Sequence, residues 1–175
     1  MEILIINYGA GNLRSVRNAF ESLNVNTKII NIENFEKEKI KNADAIVLPG
    51  VGNFKNLAEK IKGKENFFKN LKIPFLGICL GLQILFEESE EAENEKGLGI
   101  LKGKCLKFKN LNLKVPHIGW NKINVIKEHE ILENLNGKFF YFVHSYHAPL
   151  DNNEFVYAIT NYGIDFPSVI IKENF

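Results

Sequence analysis

Short β-type runs and amphipathic helical stripes take turns along the first half of the chain, and this alternation leaves few architectures open. Residues 2–8 form a β-rich run that breaks at Gly9-Ala10-Gly11-Asn12. Leu13, Val16, Phe20 and Leu23 then recur at helical spacing. Residues 28–32, 44–48 and 74–78 read as further strands. Phe54, Leu57, Ala58 and Ile61 mark the stripe of a second helix, and an apolar helical stretch is expected over 80–86. Repeated βα units with short connections predict an α/β fold with a mostly parallel central sheet and helices on both faces. The acidic residues 87–96 are expected to be a solvated helix end and loop. Beyond them the chain turns β-rich, with strands expected over 100–108, 123–126, 139–144, 155–160 and 166–171. Pro116, Gly119, Gly137, Pro149 and Gly163 punctuate these runs, which predicts antiparallel hairpins attached to the parallel sheet.

Size and charge narrow the function. A chain of 175 residues with 45% hydrophobic and 25% charged side chains fits one domain, 1–175, with a substantial core. Its net charge of +1 gives no global field for nucleic acid or anionic lipid, and Arg14 and Arg17 are its two arginines. Neither a nucleic acid nor a membrane is therefore expected as a partner. The N-terminus has neither a basic n-region nor a long apolar run, so the expected compartment is the cytoplasm. Cys79 and Cys105 stand far apart with no metal-type spacing, so no metal site is expected.

Two glycine-bearing turns follow strands. Gly9-Ala10-Gly11 resembles part of a dinucleotide-binding turn, but Arg14 stands where a third glycine belongs, so a tight turn or a partner-facing loop is the better reading. Gly77-Ile78-Cys79-Leu80-Gly81 has the form of a nucleophile elbow with cysteine in place of serine. Small neighbours permit a strained turn that projects the reactive side chain. The helix start at Leu80 is expected to lower the thiol pKa, and the Leu80 N–H to donate to an oxyanion. A buried structural cysteine is the alternative. A second oxyanion donor is expected from Gly50, Val51 and Gly52 at the end of the preceding strand. Gln83, one helical turn after Cys79, could hold a polar substrate.

Residues 49–54 (Pro-Gly-Val-Gly-Asn-Phe), 77–83 (Gly-Ile-Cys-Leu-Gly-Leu-Gln), 114–121 (Lys-Val-Pro-His-Ile-Gly-Trp-Asn) and 141–146 (Tyr-Phe-Val-His-Ser-Tyr) resemble one family, the glutaminase subunits of imidazole glycerol phosphate synthases. These are class I, triad-type glutamine amidotransferases with a flavodoxin-like sheet. The resemblance implies that Cys79 attacks the side-chain amide of glutamine to form a glutamyl thioester, and that ammonia passes to a cyclase subunit with a (β/α)8 barrel. It also implies that Ser145 and Tyr146 line the glutamine site with Gln83, that Asn12 and Trp120 lie near the cyclase interface, and that no cofactor is needed.

The same resemblance implies a His-Pro-Glu segment whose histidine and glutamate complete the triad. After residues 166–171, which resemble the strand leading into it, that segment and the family's closing helix are not found. The 175-residue form is therefore expected to be impaired, since losing a general base costs about 10²- to 10⁴-fold in rate. Either the protein is truncated or the natural chain continues. His117, His129, His144 and His147 are read as core, interface or helix-start residues rather than as a substitute base. A glutaminase serving a sugar amidotransferase of surface glycans, or a catalytically dead binding subunit, are the competing readings.

Overall fold

The computed structural model describes residues 1–35, 40, 42–109, 112–150 and 153–175. Strand β1 (Glu2–Asn7) leads through the Gly9–Asn12 turn to helix α1 (Leu13–Glu21) and strand β2 (Asn26–Asn31). Then come β3 (Ala45–Gly50), α2 (Phe54–Ile61), α3 (Glu65–Lys69), β4 (Phe75–Cys79) and the short α4 (Leu80–Gln83). The strands form a parallel sheet in the order β2-β1-β3-β4. Right-handed crossovers that run outward from β1 to β2 and back across to β3 and β4 must place their helices on opposite faces. The reversal falls between β1 and β3, so a crevice opens beyond the C-terminal ends of these strands.

The two faces are covered unequally. Leu4, Ile6, Ile46, Leu48 and Phe75 point to one side and pack with Phe54, Leu57, Ile61 and Phe68 of α2 and α3 in one continuous core. On the other side Ile3, Ile5 and Val47 are buried, but α1 carries no fully buried residue. Leu76 and Ile78 of β4 are exposed.

The first turn owes its glycines to backbone geometry. Gly9 and Gly11 have φ of +94° and +118°, and the Asn7 side chain accepts from the Gly9 N–H at 2.9 Å, so a tight turn accounts for the motif. Elsewhere three expectations are corrected. The helix after Cys79 stops at Gln83, and β5 (Phe86–Ser89) occupies part of the stretch expected to be helix end and loop. The cause is a chain that folds back: Gly97, Leu98 and Ile100 donate to the carbonyls of Glu87, Ile84 and Leu85, drawing these groups out of a helical ladder. The second strand begins two residues earlier than its hydrophobic pattern implied and ends one residue earlier, because Ile32 begins a 3-10 turn. Third, among the described residues no strand of the β-rich half joins the parallel sheet, although the Asn174 carbonyl accepts from the Phe75 N–H of β4 at 2.7 Å. β6 (Leu101–Lys107) lies between β5, to which it is parallel, and β10 (Tyr146–His147); β7 (His117–Lys122) pairs with β9 (Phe139–His144); β11 (Val156–Asn161) lies between β8 (Asn124–Val125) and β12 (Asp165–Ile170).

Glycines seat the elbow against the sheet. A Cβ on Gly81 would lie 1.9 Å from the Leu48 carbonyl oxygen, and one on Gly77 would lie 2.3 Å from the Gly81 oxygen. Both neighbours are backbone and cannot rotate away. Gly81→Ala is therefore expected to lower the unfolding free energy by about 2 kcal/mol or more, measured by urea denaturation.

Candidate active site

Cys79 is the last residue of β4 and has φ +55° and ψ −107°, a conformation rare for a residue with a side chain. It stands directly opposite Gly50 in the β3–β4 ladder. A Cβ on Gly50 would come within 2.5 Å of the Leu80 Cβ, so β3 can pass the elbow only as glycine. The thiol faces a cleft of about 270 Å3 whose walls include Gly50, Val51, Gly52, Leu80, Gln83, Ser145 and Tyr146, the residues expected around the nucleophile. Sγ lies 3.7 Å from the Val143 carbonyl oxygen. A second, more apolar cleft of about 390 Å3 adjoins it, bounded by Ile78, Leu82, Phe140, Phe142 and Phe166.

The charge state of the thiol differs from expectation. Burial raises the Cys79 pKa, and the carboxylate of Glu91 adds to the rise. The Leu80 N–H, which donates toward the thiol, acts in the other direction but does not prevail. A helix of four residues is too short to carry the N-terminal charge that the sequence reading relied on. Cys79 therefore rests as a thiol and needs a proton acceptor to attack.

Among the described residues no histidine is hydrogen-bonded to the Cys79 thiol, which faces the Val143 carbonyl. His144 borders the cleft, but its Nδ1 lies 2.8 Å from the Tyr146 carbonyl oxygen and its Nε2 lies 3.2 Å from Nδ1 of His117. Burial pushes its pKa down to about 4, with a minor contribution from the neighbouring imidazoles. His117 is buried between Tyr162 and Phe142. His147 binds the Ala148 carbonyl, and His129 caps a 3-10 turn by accepting from the Ile131 N–H. All four have the structural roles expected of them.

The backbone donors expected to form the oxyanion set are partly engaged. Tyr8 donates its hydroxyl to the Val51 carbonyl at 2.8 Å and accepts from the Val51 N–H at 3.0 Å, so that N–H is committed in this conformation. Tyr8 was missed by sequence reading because it looks like the end of a strand. Glu91 was missed because it sits in an acidic run; it lines the Cys79 cleft and accepts from the Phe54 N–H at 2.8 Å. Gln83 is buried and donates to the Tyr146 carbonyl at 3.2 Å. Asn12 caps α1 by accepting from the Ser15 N–H, and Trp120 lies on the outer face of the β7–β9 ribbon, 70% exposed. Cys105 is fully buried, and burial raises its pKa as well, which makes it a core residue.

A cysteine elbow at the end of a parallel strand, facing a cleft lined by Gln83, Ser145 and Tyr146, has the arrangement expected around a nucleophilic thiol. The profile described as "Glutamine amidotransferase class-I" matches residues 4–174, and the chain belongs to that family. Within it, the chain is 48% identical over 174 residues to the imidazole glycerol phosphate synthase subunit HisH of Methanocaldococcus jannaschii, covering 97% of this chain and 85% of that one. It is 42% identical over 174 residues to the subunit of the same name from Archaeoglobus fulgidus, covering 99% of this chain and 86% of that one. Among solved structures, one titled as a glutamine amidotransferase superposes with a TM-score of 0.67 at 16% identity, over 95% of this chain and 88% of that chain. PurLQS from Thermotoga maritima gives 0.65 at 16%, over 99% and 82%. These two likenesses concern the fold.

The depressed His144 pKa sets the sign of an acid effect. The unfolded chain takes up a proton near pH 6.5 and the folded chain only near 4, so stability is full above about pH 6.5 and falls as pH is lowered toward about 4. His144→Phe is expected to flatten this slope, read from urea midpoints across that range.

Proposed function

We propose that this chain is the glutamine-hydrolysing subunit of an imidazole glycerol phosphate synthase. The observation that carries the reading is Cys79 at positive φ, its thiol at the mouth of a cleft shared with Gln83, Ser145 and Tyr146. Relatives with 42% and 48% identity carry the imidazole glycerol phosphate synthase name, which favours this client over a sugar amidotransferase.

In the proposed reaction a base takes the thiol proton and Sγ adds to the side-chain carbonyl of glutamine. The resulting oxyanion is stabilised by the Leu80 N–H and by a donor of the Gly50–Gly52 loop. Collapse of this intermediate expels ammonia, which leaves with the proton, and a γ-glutamyl thioester remains. Water then adds, glutamate leaves and the thiol is regenerated. Glu91 offers a negative charge for the α-ammonium of the substrate. The ammonia passes to a cyclase subunit with a (β/α)8 barrel in a cytoplasmic heterodimer, and no cofactor takes part.

The base and its orienting carboxylate are, in this proposal, a histidine and a glutamate in a His-Pro-Glu pattern, as the resemblance implies. Extending the chain with Gly-x-Gln-Phe-His-Pro-Glu is expected to raise glutamate release by about 10²- to 10⁴-fold. Cys79→Ala should abolish release in both forms, and Cys79-independent turnover would falsify the reading. Glu91→Gln is expected to raise the KM for glutamine about tenfold, the scale of one charge-assisted hydrogen bond.

Docking of the cyclase is proposed for the outer face of the β7–β9 ribbon. Trp120 and Tyr141 face each other across the two strands, as do Ile118 and Val143, and all four are exposed. Val143 also lines the thiol cleft, so this surface borders the place where ammonia is released. Asn12 is the second proposed contact. Trp120→Ala is expected to weaken the complex about thirtyfold, measured by titration calorimetry, with the melting temperature of the free chain unchanged.

A further inference from the structure

Behind the cleft, Asn121, His117 and His144, which the proposed chemistry does not use, form a line of polar groups that ends on the Tyr146 carbonyl and Gln83. Its direction can be fixed from both ends. The Asn121 Oδ1 accepts from the Lys122 N–H at 2.8 Å, so the other end of the carboxamide is NH2. One of its hydrogens goes to the Asn161 carbonyl at 2.8 Å, and the second faces His117 Nε2 at 3.4 Å. At the far end the Tyr146 carbonyl can only accept, so His144 Nδ1, 2.8 Å away, carries a hydrogen. In the neutral ring His144 Nε2 is then the acceptor, and His117 Nδ1, 3.2 Å from it, must donate. That leaves His117 Nε2 as the acceptor for Asn121. Every junction pairs one donor with one acceptor, and both imidazoles are of the Nδ1–H form.

The line ends on substrate-facing groups. The Tyr146 carbonyl accepts from His144 and also from Gln83 Nε2 at 3.2 Å, which uses both of its lone pairs. With one Nε2 hydrogen committed there, Oε1 and the second Nε2 hydrogen of the Gln83 amide remain for a ligand. We propose that Asn121, His117 and His144 are positioning residues: a hydrogen-bond chain of fixed direction that holds the 143–146 segment and the Gln83 amide in register for glutamine beside Cys79. This role rests on the glutaminase reading.

Protonation would undo the arrangement. A second hydrogen on His144 would set Nε2–H against the Nδ1–H of His117, and turning the His117 tautomer would only move the conflict to the Asn121 NH2. The pair is built to stay neutral, and burial lowers the pKa of each. The titratable groups around it are Tyr162, stacked on His117 with centroids 3.9 Å apart, His147, which shares the Phe108 and Phe166 rings with His144, and Tyr146. Asp165 lies one step further, bonded to the Asn161 side chain.

Two measurements on the 175-residue chain test the role. Long-range nitrogen–proton correlation spectra of histidine-labelled protein are expected to show His117 and His144 neutral and Nδ1-protonated at about pH 7. An Nε2–H form of His144 overturns the chain. The second measurement is the rate of Cys79 alkylation by a glutamine-shaped diazoketone and by iodoacetamide. His117→Phe keeps an aromatic ring beside Tyr162 but removes the donor. It should raise the half-saturating diazoketone concentration about tenfold while iodoacetamide rates stay within about twofold. His117→Asn, which returns an N–H near the Nδ1 position, should recover most of that loss. Saturable labelling that His117→Phe leaves unchanged overturns the positioning role alone. Absence of saturable labelling in the unsubstituted chain both with and without the Gly-x-Gln-Phe-His-Pro-Glu extension refutes the glutaminase reading and the role with it.

Discussion

The Leu48 carbonyl and the Gly81 Cα lie so close that no side chain fits between them, and the geometry of the site follows from this contact. It brings the turn after β4 down onto β3, and a chain that must turn so tightly forces its last strand residue to positive φ. Cys79 occupies that position. Gly50 in the neighbouring strand and Gly77 before the elbow are the matching concessions, each facing backbone or Cβ atoms within 2.6 Å of where its own Cβ would be. Strain at the nucleophile is held in place by the core beneath it, where Leu48, Leu80 and Ile84 are buried together.

Around this fixed point the β-rich half supplies the remaining walls. The 143–146 segment bears on the site three ways: through the Val143 carbonyl near the thiol, the Tyr146 carbonyl on Gln83 and the Ser145 carbonyl, which accepts from the Phe108 N–H at 3.0 Å. Behind it stands a cluster of aromatic and imidazole rings, Phe108, His117, Phe142, Tyr162 and Phe166 among them. The same ribbon thus has an inner face that supports the cleft and an outer face, with Trp120 and Tyr141, that meets solvent.

Much of this was legible in the sequence because its causes are local. Alternation of strand and helix patterns gave the parallel sheet, and Gly-x-Cys-x-Gly gave the elbow, since steric fit at a tight turn is written in the residues that form it. What was not legible depends on distant partners. The end of α4 is decided by Gly97, Leu98 and Ile100 returning to bond carbonyls that a helix would have used. Tyr8 reads as a strand end until Val51 is seen beside it, and Glu91 is one carboxylate in a run until the fold turns it toward the cleft. The thiol's charge state was misjudged for a related reason: sequence shows the helix start but not its length or the depth of burial, and burial outweighed the N–H.

A nucleophile that rests protonated has a bearing on its chemical durability. Peroxides and adventitious electrophiles react with thiolate and hardly with thiol. With burial and Glu91 both opposing ionisation, Cys79 keeps its thiolate fraction small whenever no base is engaged. The burial that holds Cys79 as a thiol therefore also slows its reaction with oxidants.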